Sequence, residues 1–316
     1  MASISIWRWL HIRFVVYLFR IIATFRLRSL AKRDLLLSDD IEPRRVRLPS
    51  RDQGRFINGD LYYPPGLSGS LSHGKRPVLV NWHGSGFVIP CFGSDRLFCA
   101  RVAREAGIIV LDADYRKAPE NPFPAAVNDV EDTLRWIASR PDQFDVTRVA
   151  VSGFSAGGNL ALVASSSLRP DLSRFGVKIV VVAALYPVTD LSIDSAAKKV
   201  SNPVNPIPAS IAALWDDAYA PDRALRKDPR VSPSLAEPSS FPETVVIIAS
   251  EGDTLSPEAN ALAANLQETN RTVVNKTLPG MAHAFDKGCL ESTKEWHQRE
   301  IAYSTVIRSL QVALKV

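Results

Sequence analysis

The chain is poor in cysteine and histidine and has no uninterrupted apolar run long enough to cross a bilayer. Three cysteines, Cys91, Cys99 and Cys289, are an odd number without zinc-type spacing. They exclude a disulfide framework and suit a reducing compartment. No segment repeats with a period of 20–50 residues, which excludes solenoids and propellers. Long low-complexity tracts are also missing. Acidic residues are absent from the first 33 positions, which carry seven basic ones (Arg8, Arg13, Arg20, Arg26, Arg28, Lys32 and Arg33). The rest of the chain holds 31 basic and 33 acidic residues and is close to neutral, so the globular part offers no nucleic-acid surface.

What is present is a globular composition. Of 316 residues, 46% are hydrophobic and 22% charged, enough for one large α/β domain or two small ones. Residues 1–45 read as a basic, apolar N-terminal arm and 46–316 as the main domain. The longest purely apolar run of the arm, residues 14–19, is far short of the roughly 20 residues of a membrane span. Arg20 also breaks the continuous stretch that a secretory signal needs. Two main readings of the arm remain. In one, a helix packs its apolar side on the domain or over its active site. In the other, residues 1–33 form an interfacial helix touching anionic membrane. An Arg-rich organelle-targeting peptide is a third. The location expected is cytoplasmic, with peripheral membrane association under the second reading.

Along the main domain, residues 48–64 predict an antiparallel pair on either side of Asp52-Gln-Gly54. A connector rich in glycine and serine follows at 66–74. Strands are then predicted at 77–82, 108–113, 149–151, 177–185, 244–249 and 272–276, and helices at 96–106, 125–139, 156–167, 258–268 and 292–313. Strict alternation of strand and helix means a mostly parallel sheet with helices on both faces. Reactive groups in such sheets sit at the carboxyl ends of the strands. Residues 190–242 interrupt the alternation with eight prolines and one helical piece near 210–219. They read as an insertion lying over the sheet edge.

The sequence Gly153-Phe-Ser-Ala-Gly157 lies between a predicted strand and a predicted helix, the context that Gly-x-Ser-x-Gly requires. The glycines remove side chains that would collide across a tight turn. The amino end of the following helix favours negative charge at Ser155. A serine hydroxyl needs a base. His11 lies in the arm, His73 in the connector and His297 inside the last helix. His83 is followed by a glycine-bearing loop, whereas His283 sits in a loop after the last strand, near where Ser155 emerges. His283 is the expected base. An acid must fix its tautomer. Asp253, after strand 244–249, fits the chain order Ser155, Asp253, His283, with Glu251 as the alternative. The loop His83-Gly-Ser-Gly-Phe87 supplies small residues whose backbone can approach a ligand. The N–H groups of Ser85, Gly86 and Ala156 are the expected oxyanion donors, and His83 then braces the loop. Trp82, Phe87, Phe92, Trp215 and Tyr219 are candidate pocket walls.

These residues resemble the hormone-sensitive-lipase-like group of α/β-hydrolases over roughly residues 45–315. The family's His-Gly-Gly-Gly is similar to His83-Gly-Ser-Gly86, and its Gly-Asp-Ser-Ala-Gly-Gly to Gly153-Phe-Ser-Ala-Gly-Gly158. Asp114-Tyr-Arg-Lys-Ala-Pro-Glu120, Asp253-Thr-Leu255 and the stretch 280–285 resemble three further family motifs. The resemblance implies a serine carboxylesterase acting on a small-molecule ester. It also implies a lid built partly from the N-terminal arm, and no metal or organic cofactor. Three departures stand out: Ser85 replaces a glycine, Phe154 replaces the acid before the nucleophile, and Pro257 stands where the family often has a second aspartate. Two alternatives keep the fold: a biosynthetic enzyme performing acyl transfer, cyclisation or elimination, and a non-catalytic small-molecule receptor.

Overall fold

The computed structural model describes residues 5–35, 41–66 and 75–316, with 26–33 and 35 described by backbone alone. Most of the predicted connector, including His73, lies outside the described residues. Eight strands form one sheet in the order β1-β2-β4-β3-β5-β6-β7-β8. They are β1 (Arg44–Pro49), β2 (Phe56–Tyr62), β3 (Arg76–Trp82), β4 (Ile109–Ala113), β5 (Phe144–Phe154), β6 (Ile179–Leu185), β7 (Thr244–Ser250) and β8 (Thr272–Leu278). The pairs β1–β2 and β2–β4 are antiparallel, and from β4 to β8 every pairing is parallel. This is the α/β-hydrolase arrangement expected.

The helices are α1 (Ile6–Leu35), α2 (Arg96–Ala106), α3 (Ala125–Ala138), α4 (Ala156–Ser165), α5 (Arg169–Arg174), α6 (Ala209–Tyr219), α7 (Ser256–Gln267) and α8 (Lys294–Leu314). Alternation along each strand divides the core between two faces. Val78, Val80, Trp82, Val245 and Ile247 point to the face covered by α3, α4 and α7. Leu79, Ala150, Val246 and Ile248 point to the face covered by α2 and α8. Burial on both faces explains why the central strands read as continuous apolar runs.

Boundaries differ where the apolar signal fades. Strand β5 is eleven residues long, although only 149–151 carries a purely apolar signal. In its first half apolar residues alternate with polar ones, and the buried Asp145 accepts from Thr147 Oγ1 and Arg148 Nε at 2.6 and 2.7 Å. Strand β1 begins at Arg44, ahead of the predicted pair, because as an edge strand it turns arginines to solvent instead of alternating apolar residues. The helix predicted at 156–167 stops at Ser165 and the chain restarts as the short α5.

Residues 190–242 hold α6 and three short 3-10 turns. The strands they connect, β6 and β7, are interior neighbours, so the segment rises over the carboxyl ends of the central strands. Asn159 of α4 holds it there, donating to the carbonyls of Val188 and Val231, both at 2.9 Å.

The buried Asp129 of α3 ties the hairpin to the domain. It accepts from both terminal nitrogens of Arg55 at 2.7 and 2.6 Å, and from the backbone N–H and Nε of Arg116 at 2.8 and 3.0 Å. Removing one side of a buried charge pair is strongly destabilising. Asp129→Ala is expected to lower unfolding stability by about 3 kcal/mol, read by chemical denaturation. A loss under about 1 kcal/mol, the range of exposed pairs, would contradict this role.

Candidate active site

Ser155 lies between the last residue of β5 and the first of α4, at φ 52° and ψ −117°. A non-glycine residue with positive φ costs of order 1–3 kcal/mol and persists only where its surroundings enforce it. Here the N–H of Ser155 donates to the carbonyl of Leu185 on β6 at 2.9 Å, and its carbonyl receives the first helical bond from Asn159. The flanking glycines are needed for space. A Cβ on Gly157 would sit 1.9 Å from the Trp82 carbonyl oxygen, and one on Gly153 would sit 2.2 Å from the Gly157 carbonyl oxygen. Both obstacles are backbone and cannot swing aside.

Two loops bring the partners. Backbone bonds from Glu251 to Leu278 and from Gly252 to Met281, 3.0 and 2.9 Å, fasten the loop after β7 to the loop after β8. The fastening places Asp253 beside His283. His283 Nδ1 lies 2.6 Å from Asp253 Oδ2, and its Nε2 lies 2.8 Å from Ser155 Oγ. A carboxylate only accepts, so Nδ1 carries the proton and the Nε2 lone pair is left for the serine O–H. Asp253 is buried, and its second oxygen accepts from Leu255 N–H at 3.1 Å. The alternative acid, Glu251, instead accepts from Gly280 N–H at 2.7 Å and braces the histidine loop. Of the other histidines, His11 and His297 are exposed. His83 is fully buried, stacked on Tyr115 and 3.2 Å from Asp114 Oδ1, which is a bracing position.

Burial disfavours a charged His283, but attraction to Asp253 and the hydrogen bond the ring donates to it, with a further contribution from Asp286, outweigh it and raise the imidazole above the ordinary histidine value. Sequence reasoning missed Asp286. It is buried, accepts hydrogen bonds from the hydroxyls of Tyr186 and Tyr303 at 2.6 and 2.7 Å, and meets Lys287 at 3.0 Å. Lys287 also reaches Asp95 at 2.7 Å and lies 3.8 Å from the centre of the Phe154 ring. That explains one departure from the family pattern: Phe154 presents a π-face to a buried ammonium, among Phe98, Tyr186 and Tyr303.

Ser85, the second departure, turns its hydroxyl away from the pocket. It bonds the Tyr115 hydroxyl at 2.6 Å, and Tyr115 bonds the His83 carbonyl at 2.7 Å. Pro257, the third, sits in the first turn of α7, where a missing N–H costs nothing. Among the described residues, the N–H groups of Ser85, Gly86 and Ala156 donate to no protein acceptor. Gly86 has φ 54°, and a Cβ there would lie 2.5 Å from the Trp215 ring. The loop therefore runs pressed between Trp215 and the serine turn.

A cavity of about 430 Å³ opens over Ser155. Its wall is largely apolar, with Phe87, Val188, Ile207, Ala212, Trp215 and Leu255, and most of it comes from the segment 190–242. Of the five wall candidates, Phe87 and Trp215 line it. Trp82 and Tyr219 are buried core, Tyr219 stacked on Phe87 at 3.8 Å, and Phe92 lies under Arg45.

The electrostatics are testable without assuming any reaction. By NMR titration, the His283 ring is expected to titrate above 6.5, and Asp253→Asn to bring the value down. The sign for stability follows: the contact stabilises the fold below the unfolded value, and the gain disappears as pH rises through the folded one. A ring that titrates at or below 6.5 in the unaltered chain would contradict the arrangement.

Comparison with known proteins agrees with this geometry. Residues 79–287, from within β3 to Lys287, match a family described as alpha/beta hydrolase fold. The chain is 30% identical over 242 residues to ethyl acetate hydrolase of Pseudomonas putida, covering 76% of this chain and 74% of that one. It is 33% identical over 218 residues to the carboxylic ester hydrolase LipN of Mycobacterium tuberculosis, covering 67% of this chain and 58% of the relative. Among solved structures, a bacterial heroin esterase superposes with a TM-score of 0.75 at 27% identity, over 91% of this chain and 90% of the other. The carboxylesterase EstE1, cloned from a metagenomic library, superposes at 0.73 and 26% identity, over 91% and 97%. On the matched stretch and these likenesses together, the chain belongs to the hormone-sensitive-lipase-like family of α/β-hydrolases.

Proposed function

We propose that the chain is a serine carboxylesterase that hydrolyses small or medium-chain esters through an acyl-enzyme on Ser155. The observation that carries this reading is the continuous hydrogen-bond path from Ser155 through His283 to Asp253, at 2.8 and 2.6 Å. Ser155 Oγ attacks the ester carbonyl carbon while His283 Nε2 takes its proton. Asp253 holds the ring in the tautomer that leaves Nε2 free and stabilises the imidazolium that forms. The carbonyl oxygen becomes negative and is received by the N–H groups of Ser85, Gly86 and Ala156, assisted by the amino end of α4. The C–O bond then breaks, and the alcohol departs with the proton held by His283. Water repeats the cycle: His283 takes a proton from it, hydroxyl oxygen adds to the acyl carbon, and the acid leaves as Ser155 regains its proton.

The cavity supports the substrate class. About 430 Å³ falls within the usual range of small-molecule sites. Its apolar wall suits an uncharged acyl group, and the name of one relative, ethyl acetate hydrolase, points to short chains. A receptor of this fold needs no base, so the seated His283 counts against that alternative. The arm and the segment 190–242 act in this reading as a lid: Phe19 of α1 packs edge-on against the wall residue Trp215 at 6.2 Å.

Ser155→Ala is expected to lower kcat on p-nitrophenyl esters by several orders of magnitude and to abolish covalent labelling by a fluorophosphonate, with the melting temperature unchanged. Activity within about ten-fold of the unaltered chain, far short of a triad knockout, would overturn the proposal.

A further inference from the structure

Helix α1 has two faces with opposite fates. On the inner one, Ile12 and Val16 are almost completely buried in the core that also holds α3, α4 and α6. Arg8 reaches Asp217 at 2.5 Å, and Arg20 holds Glu120 at 2.7 and 3.0 Å while donating to the carbonyls of Val88 and Ala118. These contacts fix the rotation of the helix. On the outer one, Trp7, Leu10, Phe14, Tyr17, Ile21 and Phe25 recur at steps of three and four residues. They are 78, 46, 63, 64, 43 and 69% exposed. A continuous apolar stripe of this size on a fixed helix marks an interaction site.

We propose that this outer face docks on an anionic phospholipid surface. Charge decides between the occupants. The first 33 residues carry seven basic side chains and no acid, and five remain once Arg8 and Arg20 are paired with Asp217 and Glu120. A second copy of the helix would bring cations against cations, since its one carboxylate, Asp34, is buried against Arg299, whereas lipid phosphate and serine headgroups have the complementary sign. The side-chain chemistry agrees. Tryptophan and tyrosine present an apolar body and a polar tip, the combination favoured at the headgroup boundary. Arg13, 4.5 Å from the ring centre of Trp9, flanks the stripe with a cation. Among the described residues no helix is long and apolar enough to cross a membrane, so α1 would lie along the surface, with its stripe in the acyl boundary.

The test uses the full chain and vesicles of phosphatidylcholine, with and without phosphatidylserine. Co-sedimentation is expected with the serine-containing vesicles and is expected to weaken as salt rises. The double variant Phe14→Ser, Ile21→Ser should lose roughly ten-fold or more in vesicle affinity, as removal of two large apolar groups from the interface requires. Its melting temperature and its turnover of a soluble p-nitrophenyl ester should stay unchanged. No association of the unaltered chain with either vesicle, or equal association of the variant, would overturn the proposal. So would a dimer of the unaltered chain, seen by light scattering and lost in the variant, without vesicle binding.

Discussion

Everything at the rim of this sheet is arranged around one shared proton path. Two hydrogen bonds under 3 Å join a serine after β5, an aspartate after β7 and a histidine after β8. Three loops from different strands must therefore end within the reach of one imidazole ring. The parallel sheet makes this possible, because β5, β6, β7 and β8 are consecutive neighbours and all deliver their carboxyl ends to the same side. Gly157 then sets the position of the serine, since α4 can start directly against the Trp82 carbonyl only if no Cβ intervenes. Were α4 pushed back, Ser155 would move off the ring and the path would open.

A second layer of charge surrounds that path. Asp286, Lys287 and Asp95 form a buried chain behind the histidine, closed by two tyrosine hydroxyls and by the face of Phe154. With Asp286 held below the usual carboxylate range by Lys287 and both tyrosines despite its burial, negative charge persists close to His283. It reinforces Asp253. The aromatic at 154, in place of the family's acid, is consistent with that layer: an extra carboxylate there would crowd Asp286, whereas a ring meets the ammonium of Lys287 without adding charge.

The sheet and the three site residues were legible because their signals are local. Buried parallel strands show as apolar runs, the tight turn as two glycines around a serine, and the partners as polar residues just beyond strand ends. The rest depends on contacts between distant segments. Asp286 is a single acid near the histidine, and nothing local says that Tyr186, Tyr303 and Lys287 converge on it. The partner of the Ser85 hydroxyl is not visible locally, because Tyr115 lies thirty positions away and only the fold brings it to 2.6 Å. The first half of β5 was hidden because Asp145, Thr147 and Arg148 interrupt the apolar run there. Trp215 and Tyr219 looked equivalent as wall candidates, yet Trp215 lines the cavity whereas Tyr219, one turn further along α6, is covered by Phe87 and Phe123. In the arm, the inward contacts of Arg8 and Arg20 depend on Asp217 and Glu120, two acids that no helical pattern could reveal.

The central claim is that Ser155 becomes acylated. Its most direct test is to mix the chain with p-nitrophenyl trimethylacetate, whose hindered acyl group leaves slowly, quench in acid and map the adduct by mass spectrometry. The account predicts one acyl group per chain, on the peptide containing Ser155. An acyl group on another residue, or release of p-nitrophenol through many turnovers with no adduct on that peptide, would contradict it.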